Sequence, residues 1–182
     1  MMLRTKSSFY ALPLGMFVAG IVAGTVVSIW RADFLCRQIV CYLPAVHLQI
    51  QQTGFPSGFL LYVCRLRLPF FLLMAASVVS GFSQLVFAGT AFVTGASAAV
   101  VITAVTMMTG MIGILQAIAL FGVHSLFYLF GYWTLYELAG KRKNFTPREQ
   151  VGILIRIAGV WAAGMGVEAL LSPVVITRVL RL

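Results

Sequence analysis

The 182-residue chain is short of charge and shortest of acid: thirteen Lys and Arg stand against four Asp and Glu, and charged residues make up only 9% of the whole. From residue 68 to residue 136, 69 consecutive positions carry no Asp, Glu, Lys or Arg. A soluble domain needs polar surface along every such stretch, so this run excludes one. Also missing are a His/Glu/Asp cluster with metal spacing, a Gly-rich phosphate loop, and a nucleophile with a base in recognisable register. The sequence therefore offers no catalytic, metal or cofactor-binding residue, and catalysis is not expected. Cysteine is scarce too. Cys36, Cys41 and Cys64 are odd in number and lack zinc-type spacing, so they read as partly buried free thiols.

What the chain has is apolar surface, with 61% hydrophobic residues and a mean hydropathy of +1.01. A bilayer core is roughly 30 Å thick and a helix rises about 1.5 Å per residue, so a crossing takes about 20 apolar residues. The charge-free run alone is long enough for about three crossings. The net charge of +9 would suit nucleic acid. However, the basic residues are scattered at the ends of apolar segments, where Lys and Arg anchor helices at lipid headgroups. No basic and aromatic patch is left to track phosphates, so the expected partner is the lipid bilayer and not nucleic acid.

The expected fold is all-α, a polytopic transmembrane helix bundle of about five crossings in a single integral membrane domain, 1–182. The crossings fall at about 9–30, 68–87, 89–108, 114–135 and 151–171, with a surface segment at 31–67. The first resembles a signal peptide, but its apolar stretch is long and no clear cleavage site follows, so an uncleaved anchor is expected. Gly20 and Gly24 form a GxxxG pair continued by Ser28, a smooth face for close helix packing within the chain or, less favoured, for a homodimer. The surface segment contains Asp33, His47, Pro44 and Pro56, and Arg65 and Arg67 mark the edge of the second crossing. Gly110 and Gly113 make the third turn, the basic stretch Lys141-Arg142-Lys143 the fourth, and Ser172-Pro173 stops the last helix.

Charge alone does not set the orientation: with five crossings and an inner N-terminus, six basic residues lie on each side. A four-crossing chain would put more of them inside, but it would stretch two helices across the whole charge-free run. Five crossings with the dense basic loop inside is the reading adopted.

Ionisable residues at membrane depth point to function by default. Arg156 lies near the start of the last crossing and Glu168 near its end, roughly 18 Å apart along the axis and too far to pair. Arg156 is expected to reach the inner headgroups. Glu168 either accepts a hydrogen bond from another helix or a partner protein, or simply reaches the interface. His124, with Ser125 beside it and Gln116 two turns earlier, makes a polar stripe on the fourth crossing, and Gln84 adds a polar group to the second. These groups are read as interhelical hydrogen-bond partners. The competing reading is a polar path through a small-solute or ion transporter or channel subunit.

The segment Gly166-Val167-Glu168-Ala169-Leu170-Leu171-Ser172-Pro173, followed by an apolar, basic tail, resembles the ending of stage II sporulation protein M and its relatives. The layout of the whole chain is similar as well: a basic start, an anchor, an extracytoplasmic segment, a Gly-rich apolar middle, a basic loop and a final helix. Where that family often has a Pro-rich or His-Gly motif in the fourth crossing, this chain has Gly122-Val123-His124-Ser125 without prolines, so the bend expected there loses its sequence basis. The resemblance implies a non-catalytic scaffold of endospore formation, sited in the bacterial cytoplasmic membrane and specifically the mother-cell membrane. Its partners would be the membrane-anchored peptidoglycan hydrolases of the sporulation D and P type, with Glu168, Ser172 and Pro173 shaping the outer surface that meets them. Oligomeric state is left open.

Overall fold

A computed structural model describes the backbone at residues 3–35, 37, 57–141 and 145–179, and the side-chain surroundings at 11–35, 37, 59–118, 122, 124–141 and 145–171. The described residues contain five long helices and no strand: α1 (Leu3–Trp30), α2 (Ser57–Ser80), α3 (Ser83–Thr109), α4 (Met111–Lys141) and α5 (Pro147–Val179). Four hold stretches long and apolar enough to cross a bilayer: Ala11–Trp30, Phe59–Ser80, Ser83–Thr109 and Pro147–Leu171. The chain is an all-α, multi-pass membrane protein.

The helix boundaries correct the expected ones at several places. The second helix spans Ser57–Ser80 and not 68–87. Upstream, Phe59, Leu60, Leu61, Tyr62 and Val63 lengthen the apolar run, which takes Arg65 and Arg67 inside the helix instead of leaving them at its edge. Downstream, Gly81 adopts φ 90° and donates its N–H to the Ser77 carbonyl at 3.1 Å, a left-handed cap that only glycine enters freely. The third helix therefore begins at Ser83 and not at 89. Gly110, with φ 66° and its N–H 2.8 Å from the Thr106 carbonyl, ends α3 in the same way, whereas Gly113 is already inside α4.

The last helix is longer than expected at both ends. Thr146-Pro147-Arg148-Glu149 forms a capping box: the Thr146 hydroxyl and backbone N–H donate to Glu149 Oε2 at 2.9 and 2.8 Å. Proline occupies the first helical position, where its missing N–H costs nothing. At the other end the helical backbone continues through residues 172 and 173 to Val179, so Ser172-Pro173 does not stop it. Membrane helices tolerate proline where neighbouring groups meet the freed carbonyl, and α1 and α2 likewise contain Pro13 and Pro69. Of the expected surface segment, 57–67 belongs to α2, a further helical turn covers 32–35, and residues 38–56 lie outside the described residues.

The chain divides into two compact units. The first comprises Met1–Val40 and Gln84–Ala117, and the second Cys41–Ser83 and Ile118–Leu182. In the first unit α1 lies against α3 through its small residues. A Cβ added at Gly20 would overlap the Phe92 carbonyl, one at Gly24 the backbone of Ala96, and one at Gly95 the Phe17 carbonyl. Ser28, fully buried, donates to the Gly24 carbonyl at 2.7 Å and adds no unpaired polar group. The GxxxG face is thus used within the chain, while Leu14, Val18, Val22, Val26 and Ile29 on α1 are exposed, as suits contact with lipid. Trp30, with Arg31 stacked 5.6 Å over its ring, ends the span as an interfacial anchor.

Candidate functional site

The second unit is built around one carboxylate. Helices α2 and α5 pack against each other. Arg67 lies about 12 Å along α2 from the start of its apolar span at Phe59, and Glu168 about one helical turn before the end of its span at Leu171, so both lie within the spans. Arg67 grips Glu168 with two donors, Nη2 to Oε1 at 2.8 Å and Nε to Oε2 at 3.1 Å. From α4, the Tyr128 hydroxyl donates to Oε2 at 2.6 Å. Three helices thereby converge on one side chain, of which only 12% is exposed.

A charged side chain at the bilayer centre costs about 2.5–3.5 kcal/mol on insertion scales. The planar guanidinium matches the carboxylate fork and cancels its charge, so α2 and α5 need not each carry that cost alone. Arg67 also lies with Cζ 5.1 Å from the Tyr128 ring centroid, a cation–π contact. An aromatic chain continues inward: Tyr128 meets Trp161 at 5.1 Å, and Trp161 meets Phe71 at 5.3 Å. Glycines make room for it, since a Cβ at Gly131 would overlap the Trp161 indole and one at Gly164 would press on Phe127 and Tyr128. Trp161 Nε1 is buried and has no acceptor among the described residues. His124, 6% exposed, sets its ring edge-on to Tyr128 at 6.2 Å.

The structure brings two of the sequence-predicted residues, Glu168 and His124, to this cluster and places the others elsewhere. Gln116 belongs to the first unit, where its Oε1 lies 3.1 Å from the Thr109 hydroxyl; that hydroxyl is also 2.9 Å from the Val105 carbonyl. Between Gln116 and His124 the backbone leaves helical geometry at Gly122 (φ −17°, ψ −127°), so no continuous stripe joins them and the bend occurs without prolines. Gln84 is exposed in the first turn of α3, not on the second crossing. Arg156 is exposed on α5, and Gly20 and Gly24 pack in the first unit. Cys64 is a half-exposed free thiol; Cys36 and Cys41, and the side chains of Ser172 and Pro173, lie outside the described residues.

Sequence reasoning missed Arg67, Tyr128 and Trp161 as members of the site. The signal available was charge economy: Glu168 is one of four acids in the chain and lies inside an apolar helix, so a basic residue at similar depth should be sought. Glu168 contacts two other helices, through Arg67 of α2 and Tyr128 of α4. Among the described residues no three His, Cys, Asp or Glu gather as metal ligands.

The fold and this cluster define a multi-pass α-helical membrane protein braced internally by an ion pair. Comparison with family models, with curated proteins and with solved structures finds no match to this chain.

Proposed function

We propose that this chain is a non-catalytic membrane scaffold that holds the anchor helices of membrane-bound partner proteins. The observation that carries the reading is the full engagement of Glu168 by Arg67 and Tyr128. The acid buried in the second unit is used to fix three helices, not left open to react or to carry a solute. Apolar faces remain outside, as on α1, and single-pass anchors associate through such faces by van der Waals packing.

The resemblance of residues 166–173 to the ending of the stage II sporulation protein M family supports the more specific form of this proposal. In that form the scaffold works in the mother-cell membrane of an endospore-forming bacterium, and its partners are peptidoglycan hydrolases of the sporulation D and P type. A second reading, a small-solute or ion transporter, draws on buried His124 beside Tyr128, which is one step from the carboxylate.

The test is affinity purification of the tagged chain in mild detergent from sporulating cells, with co-purifying proteins identified by mass spectrometry. Membrane-anchored hydrolases should be recovered with the wild type and reduced with Glu168→Ala at equal membrane insertion. A preparation free of them, together with saturable liposome flux that changes in His124→Ala, replaces the scaffold with the transporter.

A further inference from the structure

We infer that the groove between α4 and α5 around Arg156 binds an anionic phospholipid of the leaflet containing the 141–147 connection. The groove lies in the second unit and has a volume of about 260 Å³. Its walls are Phe130, Gly131, Ile153, Ile157 and Val160. Thr134, which also lines it, uses its hydroxyl on the Phe130 carbonyl at 2.8 Å. Arg156 is therefore the one polar donor the groove offers a ligand.

Its surroundings leave that donor unmatched. Among the described residues the ion pairs are Arg67 with Glu168 and Lys141 with Glu137, and Arg156 takes part in neither. It also makes no hydrogen bond to another described side chain or carbonyl. An unpaired cation in a membrane span is costly and resolves by reaching toward headgroups or by finding an anion. From Pro147 to Arg156 the helix rises about 14 Å, so the guanidinium, extended along its stem, comes to the base of the headgroup layer on the 141–147 side. An acyl chain placed in the apolar groove puts its phosphate at the same level.

Charge then selects among lipids. Lys141 and Arg148 are exposed at that end of the two helices, and Arg142 and Lys143 lie between them in sequence; against Glu137, paired with Lys141, and Glu149, four basic residues face two acidic ones, so the local field is net positive. Basic sites between transmembrane helices on such a face favour headgroups with net negative charge over zwitterionic ones. The groove is smaller than the roughly 300–1,000 Å³ of drug-sized pockets, which suits part of one chain and not a folded ligand. The groove shares the Gly131 wall with the aromatic part of the Glu168 cluster but none of its charged groups, and the inference does not depend on the scaffold reading.

The experiment is native mass spectrometry of the full-length protein in detergent, with phosphatidylglycerol or phosphatidylcholine added at equal concentration. The wild type should retain phosphatidylglycerol with a preference of about fivefold, the ratio expected for one basic residue at the surface. Arg156→Gln should lower the preference to the part that the basic connection supplies, and Arg156→Lys should keep more of it. Ile153→Trp, which fills the groove while leaving Arg156 in place, should reduce retention of both lipids and decides the matter if the arginine variants do not fold. Equal preference in wild type, Arg156→Gln and Ile153→Trp would assign the effect to the basic connection and overturn the site. Loss of bound lipid to excess inorganic phosphate would also overturn it, by showing an anion site without a chain.

Discussion

The two units solve the same problem with opposite materials. In the first, the buried face of α3 is Phe87, Ala88, Ala91, Gly95, Ala99 and Ala104, and the glycines of α1 and α3 bring backbone against backbone. In the second, larger side chains are buried, among them Val63, Met74, Val78, Leu135, Tyr136 and Trp161, and the same unit contains the Arg67–Glu168 pair. Lipid is as apolar as leucine, so no hydrophobic force drives helices together inside a bilayer. One unit gains contact by bringing smooth surfaces close, and the other by making an ion pair that lipid cannot satisfy. The first depends on the absence of side-chain atoms and should be sensitive to any addition. The second depends on particular functional groups and should be sensitive to deletion.

Five substitutions test that contrast, each read by reversible unfolding of the purified protein in mixed micelles. Glu168→Ala should have the largest effect, a loss of about 2–4 kcal/mol. Removing the carboxylate strands the Arg67 guanidinium inside an apolar span, which is what makes breaking such a pair costly. Adding Arg67→Met should restore much of the loss, since the stranded cation is then gone; a double variant as unstable as the single one would remove charge pairing from the explanation. Gly24→Ala should cost about 1–3 kcal/mol, because its methyl meets the Ala96 backbone, not a movable side chain. Gly15→Ala, with open space around the added atom, should stay within about 0.5 kcal/mol. Equal effects at Gly24 and Gly15 would dissolve the claim that the first unit is held by close approach. Tyr128→Phe sharpens the other side of the contrast: losing one hydroxyl donor to Glu168 should cost about 1 kcal/mol, and a larger loss would mean the phenol also orients Arg67.

Much of the fold could be read from the sequence because bilayer physics writes it in composition: a long charge-free run has few options other than helices that cross. The glycine face at Gly20 and Gly24 was legible for the same reason, small residues recurring on one side. The helix break at Gly81 was not, since Ser80-Gly81-Phe82-Ser83 sits inside the apolar run and its turn depends on one φ angle. Arg67 misled for a physical reason as well. Arginine at the edge of an apolar segment normally marks a headgroup, and only its pairing with a residue 101 positions away lets it sit deeper. The capping box at Thr146-Pro147-Arg148-Glu149 is written openly in the sequence, but the basic residues around it drew attention to charge and not to the helix start it encodes.

The neutrality of the Arg67–Glu168 pair has an electrical consequence. A single charge displaced across the full membrane potential exchanges about 2.3 kcal/mol per 100 mV with the field. Linked by two hydrogen bonds, the guanidinium and carboxylate move together, and the work done on one is returned by the other. The pair as a unit therefore exchanges little net work with the field, and a change in membrane potential gives it little drive to part α2 from α5.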